Sequence, residues 1–236
     1  MPPETVAKHE VIISSDPLGA PPHRDSLFGE FAWLYILYRE WIFRDDTDRI
    51  IAAVWPTGTP EPGTKLVELG CGPGFYSRRL ASRFPQLHVI GIDRSRRQLQ
   101  YARDKAEALG LTNCRFERKD VLEVTSPDST YDAVIASRLF TVLPEYERVM
   151  AEIHRALRSG GKCFIAEPRY AFWASIPLFL LWVTATFSRR QRVCREPKRA
   201  NVFKRSDFEK VFQSQPWRTV RIWRDGRYQY ALCEKG

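Results

Sequence analysis

Between Lys65 and Glu167, short β-prone runs alternate with helical runs, and this alternation limits the fold more tightly than any other feature of the chain. The β-prone runs are 65–69 (KLVEL), 87–92 (LHVIGI), 113–119 (NCRFERK), 131–136 (YDAVIA) and 162–167 (KCFIAE). Helical patterns fill 75–84, 95–109 and 145–157, with Ser95 placed as an N-cap and Gly110 at the C′ position. Strands separated by helices pair in parallel, and the crossover helices then cover both faces of the sheet. Near the C-terminus the alternation stops. Ser206 and Glu209 have the spacing of a capping box that opens a short helix. Beyond it, 217–224 and 227–234 read as two strands joined by a tight turn at Asp225-Gly226. The expected architecture is α/β: a doubly wound, mostly parallel seven-stranded sheet that ends in an antiparallel hairpin.

Other segments surround this core. Residues 1–26, rich in proline, serine and charge, are expected to form a flexible arm. Residues 27–56 read as an aromatic helical cover: 27–43 carries seven aromatics in a helix-compatible run, and 45–55 is a second helical stretch that Pro56 ends. The core itself spans 57–169, an apolar and then basic insertion spans 170–205, and a closing helix and hairpin span 206–236. A hydrophobic share of 44% can fill a core, and a charged share of 28% excludes both wholesale disorder and a polytopic membrane protein. Five cysteines, scattered and without a C-x-x-C pair, point to a reducing compartment rather than a disulfide framework. The four histidines lack metal-ligand spacing, so no metal is expected. The N-terminal residues contain no apolar h-region, so no signal peptide is expected.

The run Val67-Glu68-Leu69-Gly70-Cys71-Gly72-Pro73-Gly74 follows the first strand and opens a helix. Glycines there permit a sharp turn and a close approach of backbone to a ligand beside the positive end of a helix. The dinucleotide spacing GxGxxG would need glycine at Phe75; GxGxG instead suits an adenosyl sulfonium lying against the loop. A plain strand–helix turn is the bland alternative. Asp93 closes the second strand, where a carboxylate can accept both hydroxyls of a ribose. Asp120, after the third strand, can accept an adenine amino group or serve as an ordinary loop or capping residue. Its neighbour Val121 offers a backbone N–H. Ser137 and Arg138 follow the fourth strand, on the edge that faces a ligand in such sheets.

Together these residues resemble the class I S-adenosylmethionine-dependent methyltransferases, a Rossmann-like family, from about Lys65 to Glu167. Residues 155–168 (RALRSGGKCFIAEP) are similar to that family's LRPGG-strand element, and the closing hairpin matches its sixth and seventh strands. The resemblance implies S-adenosylmethionine as cofactor, with Gly70, Gly72 and Gly74 against it and Glu68 supporting its aminoacyl end. It further implies Asp93 with neighbouring Arg94 at the ribose, Asp120 and Val121 at the adenine, and Ser137 beside them. Within the family, the chain resembles ubiquinone- and menaquinone-biosynthesis methyltransferases. Residues 138–144 (RLFTVLP) and 165–178 are similar to the branch that includes the rhodoquinone-biosynthesis protein, which uses the cofactor as an amino donor. Where methyltransferases of this type often carry a histidine pair before Leu-Pro, this chain has Phe140-Thr141. The expected activity is methyl transfer to a hydrophobic, membrane-borne substrate, a quinone. Amino transfer to ubiquinone, or methylation of a phospholipid or an RNA, are the alternatives.

Two further features bear on where that substrate is met. Residues 170–188 are uncharged for 19 positions, about 28 Å as a helix and close to the thickness of a bilayer's hydrocarbon. A simple span is excluded by topology, since the strands on either side must join one sheet. A buried helix, an interfacial anchor and the wall of an apolar tunnel remain open. Residues 1–168 hold 22 Lys and Arg against 23 Asp and Glu, whereas 169–236 hold 15 against 5. Basic clusters beside an apolar segment favour anionic lipid surfaces over nucleic acid. The expected location is the cytoplasmic side of a membrane, peripherally bound. An acceptor that loses a proton asks for a base, and the candidates are Glu167 and Tyr170, with Arg138 to stabilise an anionic oxygen and Tyr38 in the aromatic helix for a polar contact. The sequence leaves the oligomeric state open.

Overall fold

The computed structural model describes residues 32–41, 44–122, 128–171, 175–176, 179–180, 183 and 201–236. The expected arm at 1–26 and residues 189–200 of the basic run 189–205 lie outside them. β1 (Lys65–Leu69) is buried at every position after the first, as a central strand must be. It pairs in parallel with β2 (His88–Asp93) on one side and, further along the chain, with β4 (Tyr131–Ser137) on the other. β3 (Cys114–Arg118) extends the sheet beyond β2, and β5 (Leu157–Pro168) lies beside β4. β6 (Trp217–Asp225) and β7 (Tyr228–Lys235) form the hairpin, and β7 inserts antiparallel between β5 and β6. The order is β3-β2-β1-β4-β5-β7-β6, the doubly wound, hairpin-terminated sheet expected from the alternation. The carboxyl ends of β1 to β5 therefore share one edge with the β6–β7 turn.

Among the described residues the helices include α1 (Ala32–Trp41), α2 (Thr47–Val54), α3 (Phe75–Arg83), α4 (Arg96–Ala108), α5 (Tyr146–Ala156) and α6 (Arg205–Val211). Side chains alternate across β1, so Leu66 joins one face and Val67 and Leu69 the other. On the Leu66 face lie Ile50, Ile51 and Val54 of α2 and Leu80 of α3. On the other lie Val149, Met150 and Ile153 of α5 and Phe208 and Val211 of α6. α4 packs through Leu99, Ala102 and Ala106 around Phe116.

Two local expectations are corrected. The fifth strand begins at Leu157, not 162, because Leu157 already pairs with Tyr131 and a register shift before Ala133 absorbs the extra residues around Gly160. The capping box at Ser206 does not form. Lys204 is the N-cap, without a side-chain cap, and Glu209 is drawn to Arg205 Nε at 2.9 Å. The helix starts early because Phe203 is already fixed, its carbonyl accepting Gln229 Nε2 at 3.1 Å and its ring meeting Phe140, Tyr146 and Phe208.

The chain before β1 is tied to the hairpin by charge. Arg44 donates to Asp225 Oδ2 at 2.6 Å, and Arg49 pairs with both Asp46 and Asp225. Asp46 is 2% exposed and also accepts Tyr230 Oη at 3.0 Å. Burial raises its pKa, and the hydroxyl and the two arginines oppose that rise. Toward the β3 end of the sheet, Asn113 Nδ2 donates to the carbonyls of Ala81, Phe84 and Leu87 at 3.0, 3.1 and 2.8 Å. This one amide closes the C-terminus of α3 onto the start of β3. Asn113→Ala leaves these carbonyls short of a donor and is expected to destabilise the protein by about 1–3 kcal/mol in urea unfolding.

Candidate functional site

The turn from β1 to α3 holds three residues at positive φ: Gly70 at 65°, Gly72 at 54° and Gly74 at 72°. At two of them the space is already taken. A Cβ on Gly70 would sit 2.9 Å from Leu139 Cδ1, so the loop after β4 leans directly on the glycine turn. A Cβ on Gly74 would sit 2.5 Å from Phe116 Cε1 and 3.0 Å from Ala102 Cβ. Gly74 thus lets α3 settle against β3 and α4, while Gly72 turns its N–H onto Asp93 Oδ2 at 2.8 Å.

Glu68 is 4% exposed and accepts both Ser77 N at 2.8 Å and Ser77 Oγ at 2.5 Å, pinning the first turn of α3 to β1. Burial raises its pKa; the Ser77 bonds and the nearby Arg39 and Arg78 pull the other way. Arg39 reaches in from α1, its guanidinium 4.0 Å from the centre of the Phe75 ring and 4.4 Å from that of Tyr76.

Asp93 is bracketed by two backbone donors, Gly72 N and, on its other oxygen, Ser95 N at 2.8 Å. Burial pushes its pKa up, and the bonds from Ser95 and Gly72 hold it back. Ser95 in turn caps α4, accepting from Gln98 N. Arg94, largely exposed, brings Nε within 3.7 Å of Asp120 Oδ2. Asp120 Oδ1 accepts Leu122 N at 3.0 Å, and the Val121 side chain is buried in the core, so the backbone at 120–121 is held from both sides. Gly70, Gly72, Asp93, Arg94, Asp120 and Val121 line adjoining strand ends on one half of the edge.

Ser137, Arg138 and Glu167 occupy the other half. Ser137 is hydrogen-bonded to the Tyr76 hydroxyl, whose pKa burial pushes up to about 12. Arg138 takes a left-handed conformation, φ 59°, with its N–H donated to Ala166 O at 2.8 Å and Nη1 donated to Tyr228 Oη at 2.9 Å. A non-glycine residue in that region costs about 1–2 kcal/mol and persists where its surroundings fix it. Glu167 supplies the fixing. Its Oε1 accepts Phe140 N at 2.9 Å and its Oε2 accepts Thr141 Oγ1 at 3.0 Å. Glu167 is 1% exposed, and burial raises its pKa to about 7 against the pull of Phe140, Thr141 and Arg138. Tyr38 lies within α1, but its side chain falls outside the described residues. Tyr170 follows β5, half exposed, with the Arg169 guanidinium 5.3 Å from its ring. His154 packs on Trp217 at the amino edge, away from this site.

Sequence reasoning missed Arg39, Ser77 and Tyr228, and saw Thr141 only as part of the Phe140-Thr141 departure from the family pattern. Ser77 carried a faint signal, a polar residue in the first turn of a helix entering an apolar core. The others are brought in only by the topology: Tyr228 is 90 positions from Arg138.

A family model described as a methyltransferase domain matches residues 60–220. The chain is 40% identical over 110 residues to a phosphatidylethanolamine N-methyltransferase of Cereibacter sphaeroides, covering 44% of this chain and 51% of that one. It is 36% identical over 107 residues to a trans-aconitate 2-methyltransferase of Deinococcus radiodurans, covering 45% and 39%. With a demethylmenaquinone methyltransferase of Thermus thermophilus it shares 35% over 112 residues, 46% of this chain and 50% of the other. The chain thus spans about half the length of these curated relatives, or less. Among solved structures, a putative S-adenosyl-L-methionine-dependent methyltransferase of Methanococcus maripaludis superposes with a TM-score of 0.65 at 16% identity, covering 92% of this chain and 97% of that one, a likeness of fold.

The raised pKa of Glu167 has a consequence for stability. Between its ordinary value of 4.5 and about 7, the folded protein holds a proton that the unfolded chain has lost. This group's contribution is therefore full below pH 4.5 and is lost as pH rises through 7. Glu167→Gln keeps the size and an acceptor for Phe140 N–H. Thermal melts are expected to place it higher relative to the parent at pH 8 than at pH 4.5; an equal difference at both would show a normally titrating carboxyl.

Proposed function

Since the chain belongs to the methyltransferase-domain family, whose cofactor is S-adenosylmethionine, we propose that it methylates a hydrophobic, membrane-borne acceptor, a quinone in quinone biosynthesis. The donor set at the first half of the edge fits that cofactor. Its ribose hydroxyls and adenine amino group are donors, and Asp93 and Asp120 offer acceptors on neighbouring strand ends. Gly70, Gly72 and Gly74 keep the backbone low beneath it, Val121 and Arg94 flank the adenosine, and Glu68 supports the aminoacyl end through Ser77 and the start of α3. When bound, the cofactor supplies an electrophilic methyl group for in-line displacement, so the protein's task is positioning and exclusion of water.

The acceptor reading rests on one observation: at the carboxyl edge beside Arg138, the Glu167 carboxyl is buried and bonded to Phe140 N and Thr141 Oγ1, and that burial raises its pKa. A quinol or enolic hydroxyl that gives up its proton leaves an anionic oxygen. Arg138 faces that charge, and Glu167 takes the proton through the Thr141 hydroxyl. Ser137 and Tyr76 border the same place, and Tyr38 on α1 adds a polar contact. Methylation of an amine instead builds positive charge, which Arg138 opposes. The 40% identity to a phosphatidylethanolamine N-methyltransferase nonetheless favours a phospholipid as the second reading. The net basic charge of 169–236 supports peripheral attachment to an anionic, cytoplasmic membrane face, with nucleic acid set aside as a partner.

Labelled S-adenosylmethionine, the purified protein and a panel of short-tailed quinols and phospholipids decide the substrate. Label on a quinol is expected; label on phosphatidylethanolamine alone would overturn the quinone. A quinone that gains nitrogen would keep the substrate and replace methyl with amino transfer. Calorimetry is expected to show cofactor binding weakened by about 1.5–3 kcal/mol in Asp93→Ala, the scale of lost charge-assisted hydrogen bonds; an unchanged affinity would remove Asp93 from the site.

A further inference from the structure

Among the described residues, four of the six large apolar side chains most open to solvent fall in two segments joined to the carboxyl edge, α1 and the start of the insertion. On α1, Trp33 is 63% and Leu37 48% exposed; at the start of the insertion, Tyr170 is 48% and Phe179 62% exposed. Trp33 and Leu37 are one helical turn apart and share a face. Arg39, buried over Phe75 and Tyr76, seats a different face of α1 on α3. The outward face is therefore fixed in direction rather than free to roll.

Both segments are tethered to one place. Arg44, three residues after α1, donates to the carbonyl and carboxylate of Asp225 at 3.2 and 2.6 Å. Arg169, one residue before Tyr170, donates its N–H to Arg227 O at 2.8 Å and Nη1 to Gly226 O at 3.1 Å. The β6–β7 turn at 225–228 thus holds the aromatic helix on one side and the insertion on the other. The turn lies at the carboxyl edge, where Pro168 pairs with Tyr228 and Tyr228 meets Arg138. Exposed Arg221, Arg224 and Arg227 rise along β6 to the same turn.

We propose that α1 and the start of the insertion form one bipartite surface that seats the carboxyl edge of the sheet on an anionic phospholipid bilayer. Trp33, Leu37, Tyr170 and Phe179 enter the interface, and the arginines around the 225–228 turn meet the headgroups. The occupant follows from complementarity: aromatic and aliphatic side chains on α1 and after β5, with exposed arginines at the β6–β7 turn and 15 basic against 5 acidic residues across 169–236, match an anionic lipid–water boundary. The inference rests on the membrane-borne acceptor proposed above and adds an orientation, with the reacting edge facing the lipid and a tailed acceptor reaching Arg138 without crossing water.

Flotation of the full chain with phosphatidylglycerol–phosphatidylcholine vesicles and with pure phosphatidylcholine vesicles provides the test. The parent is expected to float with the anionic vesicles and to be released by salt. Trp33→Ser with Leu37→Ser, and separately Phe179→Ser, are each expected to lower partitioning roughly tenfold, with S-adenosylmethionine affinity and circular dichroism unchanged in the α1 variant. If the parent binds neither vesicle, the membrane reading itself fails and this surface with it. If the parent floats and the α1 variant floats equally well, the membrane reading stands and the bipartite surface is wrong. Sedimentation showing a dimer that the α1 variant abolishes, without vesicle binding, would assign the face to a second copy of the chain and overturn the proposal.

Discussion

Carboxylates near the carboxyl ends of strands, bonded to backbone N–H groups of adjoining loops and of the start of α3, organise the working edge of this protein. Glu68 on β1 holds Ser77 N, Asp93 on β2 holds Gly72 N and Ser95 N, and Glu167 on β5 holds Phe140 N. All three have raised pKa values with burial as the leading cause. Each is therefore an ionisable group placed where its charge is unwelcome, and its hydrogen bonds only partly offset the loss of water. An apolar residue at any of these positions would pack without that penalty but could not dictate a loop's path. Fixed loops are what the edge gains in exchange for stability.

The two halves of the edge are mechanically joined. Leu139 lies against Gly70, so the loop after β4 cannot shift without disturbing the glycine turn. The same loop is pinned from below by Glu167 and from its far end by Asn201, whose N–H donates to Thr141 O at 3.0 Å. Asn201 and Phe203 are the return of the insertion to the core; its departure is fixed at Arg169. Both ends of the insertion are thus anchored at the edge where Arg138 and Tyr228 meet.

What the sequence disclosed and what it hid follow from the range of the interactions. β1 is read residue for residue, because a buried parallel strand is a short apolar run with turn signals on either side. Ser95 caps α4 and Gly110 sits at φ 66°, both local effects that leave local marks. The residues grouped around the glycine motif do adjoin one another, since the sheet topology that aligns their strand ends is itself encoded by the alternation. The first residues of β5 were hidden because Arg158-Ser159-Gly160-Gly161 has the composition of a loop, and only pairing with β4 makes it strand. The early start of α6 was hidden for the same reason, since Phe203 is committed by distant aromatics. Thr141 was visible only as half of the Phe140-Thr141 departure from the family's histidine pair, and Tyr228 not at all, because their partners lie 26 and 90 positions away.

The outer strand shows one set of residues meeting two demands. Among the described residues β6 pairs only with β7, so it is the edge strand of the sheet, the kind of edge that another chain can extend. Arg218, Arg221 and Arg224 lie exposed along it. Arg218 bonds Glu234 of β7 at 2.9 Å, and Arg221 stands 4.9 Å from the centre of the Trp223 ring two residues along its own strand. Like charges in series repel a second copy arriving edge to edge, which guards the strand against aggregation. The same series attracts a polyanionic surface from the side, because that approach neutralises the arginines instead of doubling them. A basic edge strand is thus self-avoiding toward its own kind and complementary to a polyanionic surface, without any residue having to change its conformation between the two.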